Sequence, residues 1–381
     1  MKLERLWKLL KKHKRILIVN PFGIGDCLFI TPLLRALKEQ GSAERIILLL
    51  GSRTNEVFKE NPYVSKTIPI DRGWFRKQKF FSKLGFVWNL VKELRKEKLD
   101  TFFDFSLSRE YGFIALFFLW IPMRIGFNYK KRGLFLNRRF DLSEGYQKKH
   151  VIEYYCELLK ALNIKPTSQE MNLFLSELEK SEAKKILNAE GIIDEPYIVV
   201  APGGGDSWGK DAYLKQWPSQ YFKQLTNLLK DQLPVTKIIL LGSPSEQELT
   251  KDFSIDSKFE VINWVGQRTL RESFSIISGA YMVFANDGGI THVTRALGTP
   301  LISLYGPVNP VVYGPYPSSD QTLVVYGKDL SCQPCYGKFR YQSDCETGAC
   351  LKELMPEDAA ERIKQSGILE NIKTRKCENN V

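Results

Sequence analysis

Short apolar runs alternate with amphipathic helical stretches along this chain, and the alternation occurs twice. The first series starts at residues 15–20, RILIVN, and the second starts at residues 197–205, YIVVAPGGG. Strands that are separated by helices pair in parallel, and a parallel sheet needs helices on both faces. The sequence therefore predicts an α/β protein with two Rossmann-like parallel-sheet domains, a fold for which 381 residues is a suitable length.

The second series begins after a polar stretch that is rich in Glu and Lys. We therefore place an N-terminal domain at 1–170, a connection at 171–195 and a C-terminal domain at 196–355, followed by a C-terminal helix and tail at 356–381. In open parallel sheets, ligands bind beyond the carboxyl ends of the strands, so two such domains facing each other predict a cleft. The loops that follow strands are thus the first places to search for a site.

Charge is unevenly distributed along the chain. The formal net charge is +12, yet residues 1–150 hold 31 Lys and Arg against 14 Asp and Glu, whereas the remainder carries an acidic excess. This asymmetry indicates that the N-terminal half faces an anionic partner, either a membrane surface or a phosphorylated substrate, unless it is simply a solvated basic face. Charge alone also suggests nucleic acid, but the pattern lacks the interleaved aromatic residues of a base-stacking platform, so we expect no nucleic-acid partner.

Residues 1–15 predict a basic amphipathic helix, in which one apolar face is surrounded by Lys and Arg. That face is formed by Leu3, Leu6, Trp7 and Leu10. Such a helix either lies in a lipid interface or packs on its own domain. There is no apolar signal-peptide core, and the longest apolar run, 113–123, is too short to cross a bilayer. We therefore expect a cytoplasmic protein that is peripheral on the inner face of the inner membrane, and we expect the helical segment around 108–122 to bury most of its surface.

The first loop that follows a strand contains the sequence GIGD, residues 23–26. Its glycines allow a tight turn, after which Asp26 begins a helix. A dinucleotide fingerprint would need glycine where the chain has Leu28, and the Gly-Lys-Ser/Thr ending of a P-loop is missing. Asp26 is either a helix N-cap or a general base that takes a proton from an acceptor hydroxyl. We place acceptor contacts at Gly25 and Arg109.

Two loops of the second domain combine glycine, cation and carboxylate. Gly203 and Gly204 let backbone N–H groups approach an anion closely. Lys215 is either a cation that neutralises phosphate or an ordinary surface lysine. Glu246 follows the next strand, where it either binds a diol such as a ribose or interacts favourably with the helix dipole.

The loop after the apolar run 281–286 completes this set. Asp287, Gly288 and Gly289 form the loop, and Thr291 and His292 lie in the first turn of the next helix, an environment that favours phosphate. His292 either donates to a phosphate oxygen or is structural. Together these loops predict group transfer from a nucleotide-diphosphate donor, with the leaving diphosphate stabilised by oriented dipoles.

The stretch NDGGITHVTRALGTPLISLYGPVNP, residues 286–310, resembles the donor-site motif of glycosyltransferase family 9, the heptosyltransferase-type enzymes. That motif reads D-[ST]-G-x-x-H-x-A-A-A-L-G-x-P, followed by a strand and [FY]-G-P. GIGDCLFITPLLRALK, residues 23–38, and KQWP, residues 215–218, are similar to two further elements of the family. The resemblance covers most of the chain, with Gly288 as a departure from Ser or Thr.

The resemblance implies a GT-B fold, with an acceptor-binding N-terminal domain and a nucleotide-sugar-binding C-terminal domain. It implies inverting, metal-independent transfer of heptose from ADP-heptose to the lipopolysaccharide inner core, a lipid-linked anionic glycan. The implied roles are Asp26 as base, Lys215 at the donor phosphate, Glu246 at the ribose, and Asp287, Gly289 and His292 lining the donor site. The alternatives are a family member that uses another nucleotide sugar, and a catalytically inactive GT-B protein that binds glycolipid or scaffolds other enzymes.

Four cysteines fall within residues 332–350 with the spacing C-x₂-C-x₉-C-x₄-C. They are Cys332, Cys335, Cys345 and Cys350. In a cytoplasmic protein this spacing indicates a structural zinc site, with buried thiols or oxidised pairs as the alternatives. Four protein ligands leave no open position on the ion, so zinc here would be structural only. That catalysis itself requires no cofactor is what the family resemblance implies.

Overall fold

The computed structural model of the protein describes residues 13–327, 330–341 and 345–378. Over these ranges the chain divides into two compact units, the first ending at Asn172 and the second beginning at Leu173. The predicted N-terminal helix falls mainly on residues 1–12, which lie outside the described residues, and Arg15 already begins the first strand. Within the described ranges, no helix combines the length and the apolar character needed to cross a membrane.

The first unit is a parallel six-stranded sheet in the order β3-β2-β1-β4-β5-β6. Its strands are β1 (Arg15–Asn20), β2 (Arg45–Gly51), β3 (Lys66–Ile70), β4 (Thr101–Asp104), β5 (Met123–Asn128) and β6 (Arg138–Asp141). Its α-helices are α1 (Ile24–Phe29), α2 (Thr31–Glu39), α3 (Arg72–Lys77), α4 (Phe80–Lys96), α5 (Arg109–Phe117) and α6 (Val151–Glu157). The central strands are apolar on both faces, as expected for a sheet that helices cover on both sides.

The second unit repeats this architecture with the order β9-β8-β7-β10-β11-β12, again all parallel. Its strands are β7 (Tyr197–Ala201), β8 (Lys237–Leu240), β9 (Glu260–Asn263), β10 (Met282–Asn286), β11 (Leu301–Tyr305), β12 (Thr322–Tyr326) and the hairpin β13 (Tyr336–Gly337) and β14 (Arg340–Tyr341). Its α-helices are α7 (Glu177–Ala189), α8 (Ser219–Leu228), α9 (Leu270–Gly279), α10 (Gly289–Leu297), α11 (Pro310–Tyr313), α12 (Ala349–Lys352), α13 (Pro356–Gln365) and α14 (Ile368–Glu378).

Both sheets confirm the predicted α/β fold, and both have the strand order 3-2-1-4-5-6 when each unit is counted from its own first strand. In this order the chain direction across the sheet reverses between the first and the fourth strand, which creates a crevice at their carboxyl ends. The crevices lie beyond β1 and β4 in the first unit and beyond β7 and β10 in the second.

The helix that the sequence predicts from Asp26 begins earlier, at Ile24, and is divided in two at Ile30. Pro32 has no N–H, so it cannot donate to the carbonyl of Leu28 four residues earlier. The Thr31 hydroxyl donates to that carbonyl instead, at 2.7 Å. The break thus leaves α1 as a short helix that carries Asp26 in its first turn.

The segment that the sequence assigned to the connection, 171–195, contains α7, which belongs to the second unit. Arg271 of α9 donates to Glu179 of α7 through Nε at 2.8 Å, and Nη2 donates to the carbonyl of Phe174 at 2.9 Å. The hydrogen bonds from Arg271 lower the pKa of Glu179 to about 2. The division of the chain therefore falls at the start of this segment.

The prediction that the segment around 108–122 buries most of its surface is wrong. In α5 only Gly112 and Ala115 are fully buried, whereas Phe113 and Phe117 are 41% and 52% exposed and Trp120, just after the helix, is 74% exposed. The small side chains lie on the packed side of the helix: Ala115 belongs to the core cluster of this sheet, and a Cβ at Gly112 would lie 3.3 Å from Phe135 in the segment between β5 and β6. The large rings are consequently directed to solvent.

Candidate functional site

The two glycine-rich loops of the second unit meet at the carboxyl ends of β7 and β10. A Cβ at Gly288 would lie 3.0 Å from the carbonyl oxygen of Gly204, which is closer than real side chains normally approach. A Cβ at Gly203 would overlap the carboxylate of Glu246. A Cβ at either position would force the Gly204 backbone or the Glu246 side chain to shift, so the close contacts favour glycine at both. Gly288 stands where the resembled motif has Ser or Thr.

Asn286, the last residue of β10, joins these loops, and the sequence analysis did not single it out. Its side chain is buried, its Nδ2 donates to the carbonyl of Pro202 at 2.6 Å, and its Oδ1 accepts from the backbone N–H of Trp217 at 3.0 Å. One amide thus fixes the glycine loop, the Lys215 segment and the Asp287 loop relative to one another. A polar residue at the end of a predicted buried strand was the signal available in the sequence.

Lys215 and Asp287 form a buried ion pair at the centre of this arrangement. The distance from Nζ of Lys215 to Oδ2 of Asp287 is 2.6 Å, and both side chains are only 5% exposed. Burial, together with the Asp287 carboxylate, raises the pKa of Tyr305 well above its usual range. The interpretation of Lys215 as an ordinary surface lysine is therefore wrong.

Glu246 lies at the start of a 3₁₀ helix, Pro244–Thr250, and is buried. Its Oε2 accepts from the backbone N–H of Ser243 at 2.7 Å, and its Oε1 accepts from the N–H of Gly205 at 2.9 Å. The carboxylate thus caps the helix, as one of the two sequence interpretations expected, and it also holds the glycine loop.

Thr291 and His292 lie in the first turns of α10, which begins at Gly289. Both side chains are buried, and the Thr291 hydroxyl donates to the carbonyl of Asn286 at 2.8 Å. The N-terminal N–H groups of α10 therefore adjoin the same loops as the ion pair, a setting that favours an anion.

The predicted residues of the first unit lie in the segments that follow β1 and β4. Asp26 is half-buried, and it is the third residue of α1 rather than its N-cap, which is Gly23. Its Oδ2 accepts from the backbone N–H of Gly23 at 3.3 Å. Gly25 lies in the same turn. Arg109 begins α5 and is exposed.

Asp104, at the end of β4, is a titratable group that the sequence analysis missed. It is buried, and its Oδ1 accepts from the N–H of Ser106 at 2.9 Å and from the Ser106 hydroxyl at 2.5 Å. Burial raises the pKa of Asp104 to about 6, although the Ser106 hydrogen bonds act in the opposite direction. Shifted carboxyl groups of this kind often accompany functional sites.

All four cysteines of the 332–350 cluster line one cavity of about 40 Å³, together with Leu214 and Pro307. They are free thiols. Burial first, and then the neighbouring cysteines, raise the pKa of Cys350 to about 11. Among the side chains that the structure describes, no three Cys, His, Asp or Glu residues are arranged as a metal-binding group.

The cysteine cavity is attached to the segments that follow β7 and β11. The Gln333 amide donates to the carbonyl of Gly306 at 2.8 Å, and the Tyr213 hydroxyl donates to the carbonyl of Cys345 at 3.2 Å. Because Tyr213 is two residues from Lys215, the second hydrogen bond connects the cysteine segment to the stretch that carries the buried lysine.

Comparisons with known proteins agree with this geometry. Residues 87–343 match the family described as glycosyltransferase family 9 (heptosyltransferase). The chain is 27% identical over 323 residues to lipooligosaccharide heptosyltransferase 2 of Haemophilus influenzae, a match that covers 81% of this chain and 88% of that protein.

Two solved structures from E. coli show the same fold. ADP-heptose lps heptosyltransferase II is 22% identical with a TM-score of 0.69, over 94% of this chain and 99% of that one. Heptosyltransferase WaaC with ADP-2-deoxy-2-fluoro heptose is 20% identical with a TM-score of 0.67, over 92% and 99%. These likenesses confirm the predicted GT-B fold.

Proposed function

The chain belongs to glycosyltransferase family 9, whose model matches more than half of it, and we propose that it transfers heptose from ADP-heptose to the inner core of lipopolysaccharide with inversion at the anomeric carbon. The resemblance found in the sequence is thereby confirmed at the level of the family and of glycosyl transfer. The names of the relatives support the choice of heptose and of a lipopolysaccharide acceptor for this proposal.

The observation that carries the proposal is the assembly of the second unit's switch-point loops around a buried cation. Lys215, close to the glycine loop and to the N-terminus of α10, is held by Asp287 at 2.6 Å. A nucleotide diphosphate placed here would receive hydrogen bonds from backbone N–H groups and charge from Lys215. Asp287 then acts as a positioning residue for the ammonium, His292 donates to a phosphate oxygen, and Glu246 is assigned to the ribose.

Asp26 is the proposed general base. Its carboxylate takes the proton of the acceptor hydroxyl as that oxygen attacks the anomeric carbon, and the bond from this carbon to the diphosphate oxygen breaks. ADP departs with the bonding electron pair, which the donor-site dipoles and Lys215 stabilise. No step in this sequence uses a metal ion.

The proposed acceptor is a lipid-linked anionic glycan, which matches the 31 Lys and Arg against 14 Asp and Glu in residues 1–150. Gly25 and Arg109 are the proposed acceptor contacts. Such an acceptor resides in a bilayer, so the proposed location is the cytoplasmic face of the inner membrane, with the protein bound peripherally and without a nucleic-acid partner.

The test is a transfer assay with ADP-heptose and a truncated, water-soluble core acceptor. Asp26→Asn is expected to lower kcat by about 10²–10⁴-fold, the usual contribution of a general base, while ADP binding stays within a factor of two or so. Asp71→Asn is the matched control, because Asp71 also caps a helix of the first unit, accepting from the N–H of Trp74 at 2.9 Å. It is expected to keep full activity.

Two results would contradict the proposal. Undiminished transfer by Asp26→Asn would show that Asp26 is not the general base. A wild-type protein that binds ADP but transfers no sugar from any nucleotide sugar would favour the inactive glycolipid-binding alternative. Activity with another nucleotide sugar, but none with ADP-heptose, would retain the reaction and replace the donor.

The cysteine cluster is proposed to hold one structural zinc ion. Four thiols line one small cavity, and the Cys345 sulfur already accepts from the backbone N–H of Gly348 at 3.3 Å, a contact that suits a thiolate. An ion would draw the thiols together and fix the segment that carries Tyr213 and Lys215. Metal analysis of protein purified without chelator is expected to find one zinc per chain, and Cys335→Ser should lose it; wild type with no bound metal would overturn the assignment.

A further inference from the structure

Helix α4 carries a second apolar face in addition to the one that packs on its sheet. Leu90, Val91 and Leu94 are buried against the first unit. Phe81, Leu84 and Trp88 repeat at a spacing of three and four residues, so they share one side of the helix. They are 82%, 57% and 48% exposed. Packing of the core therefore does not account for them.

The exposed rings continue beyond this stripe on both sides, and we call the whole set the aromatic face. It comprises Trp74, Phe80, Phe81, Leu84 and Trp88 around α3 and α4, and Phe113, Phe117 and Trp120 around α5. The two parts are joined by Arg95 of α4, whose Nε donates to the carbonyl of Phe118 at 2.7 Å and whose guanidinium lies 5.3 Å from the Trp120 ring. A set of exposed aromatic residues of this size marks an interaction site more often than a solvated surface.

Cations accompany the rings throughout. Lys83 lies over the Phe75 ring at 5.8 Å, and Lys92 lies over the Trp88 ring at 5.6 Å. Between Asp71 and Glu93 the sequence has six Lys and Arg and no Asp or Glu. The aromatic face is therefore both apolar and strongly positive.

We propose that the aromatic face docks the first unit on a bilayer that contains anionic lipids. Trp and Phe side chains enter the interfacial region of a bilayer readily, and lysines beside them attract anionic headgroups. The charge favours this partner over a second copy of the chain, since two such faces would repel each other. The purpose of docking rests on the proposed function, because a lipid-linked acceptor is reached at a membrane, but the docking itself does not depend on any sugar transfer.

The experiment is co-sedimentation of the full-length protein with vesicles of phosphatidylethanolamine and phosphatidylglycerol, beside vesicles of phosphatidylcholine alone. Wild type is expected to bind the anionic vesicles more tightly and to be released by salt. The double variant Phe81→Glu, Trp88→Glu is expected to lose at least about tenfold in affinity, because two rings no longer enter the interface. Leu178→Glu, Ile255→Glu is the matched control, since these side chains of the second unit are 64% and 56% exposed, and it should bind like wild type.

A further variant separates this surface from the predicted N-terminal helix. If Leu6→Glu, Trp7→Glu abolishes vesicle binding while the aromatic-face variant binds normally, the proposal is overturned. It is equally overturned if wild type ignores all vesicles but self-associates through the aromatic face in light scattering, or binds single-stranded DNA through it. Transfer to the water-soluble acceptor is expected to be unchanged in the aromatic-face variant, so a protein that binds vesicles but transfers no sugar would refute the proposed function and leave the docking surface intact.

Discussion

The two units share one strand order and yet differ in what lies at its switch point. In the second unit the crevice is tightly built: two glycine loops that leave little room for a Cβ, an Asn286 amide that joins three segments, and an ion pair whose side chains are 5% exposed. In the first unit the corresponding loops present a half-buried carboxylate, Asp26, and a buried one, Asp104. The strand order thus determines where a site can form in each unit, and the loop residues determine its chemistry.

The largest effect is expected from breaking the buried ion pair. Lys215→Met leaves the Asp287 carboxylate without its cation and is expected to destabilise the second unit by about 3–5 kcal/mol. The matched control is Lys184→Met, whose partner Asp194 lies at 2.8 Å but whose pair is largely exposed, so the cost should stay below about 1 kcal/mol. Hydrogen exchange of the β10 amides measures the free energy of unfolding of both variants. Equal destabilisation would contradict the expected difference between a buried and an exposed ion pair.

The next effect lies in the first unit and depends on pH. Burial raises the pKa of Asp104 from 3.8 to about 6. The contribution of Asp104 to the free energy of unfolding is therefore complete below about pH 3.8, and it is lost as pH rises through about 6. Asp104→Asn has no carboxyl group to ionise, so it does not lose this stability as pH rises. Its side-chain oxygen can still accept from Ser106. It should therefore be more stable than wild type at neutral pH by about 2–3 kcal/mol, with the difference vanishing in acid.

Urea denaturation across the acid-to-neutral range checks this sign. A variant that is less stable than wild type at neutral pH would show that the folded protein stabilises the charged form of Asp104. The switch points of the two units would then be alike, because each would hold a stabilised carboxylate.

A smaller effect is expected at the contact between the glycine loops. Gly288→Ser restores the residue type of the resembled motif, but its Cβ would lie 3.0 Å from the carbonyl of Gly204, so one loop must shift. Overpacking of this kind costs about 1–2 kcal/mol. We expect the cost to fall on the loop conformation that binds ADP, and it then corresponds to a roughly fivefold to thirtyfold loss of ADP affinity in calorimetry. Unchanged or tighter binding would show that the loops are looser than described.

The smallest effect concerns a glycine of the first unit that has no close neighbour. Gly85 lies inside α4, and a Cβ there would meet nothing within 4 Å. Gly85→Ala should stabilise the protein by about 0.5–1 kcal/mol, because alanine loses less conformational entropy on folding. A lower melting temperature for this variant would mean that the α4 surface is less open than its exposure indicates.

Much of the site could be predicted from the sequence because glycines and charged residues follow apolar strands in a recognisable way. Asp26, Lys215 and Asp287 all lie in segments that follow the carboxyl ends of strands, as expected for parallel sheets. Asn286 and Asp104 escaped notice because each reads as the last residue of a strand, and only the fold reveals what such a side chain contacts.

The aromatic face was missed for a different reason. Apolar residues around 108–122 indicate burial by their type alone, but whether a ring faces the sheet or the solvent depends on which side of the helix the sheet occupies. In α5 the small residues Gly112 and Ala115 take the sheet side, which leaves Phe113 and Phe117 outside. The apolar residues of such a segment predict a helix, but they do not predict what covers its side chains.

The central claim is that the donor diphosphate binds in the switch-point crevice of the second unit and that the first unit's crevice serves the acceptor. Hydrogen exchange with and without ADP tests this most directly. We expect ADP to slow exchange at residues 202–205 and 287–292 and to leave residues 21–30 unchanged. Protection confined to the loop at 21–30, or no protection in either second-unit loop despite measurable ADP binding, would contradict it.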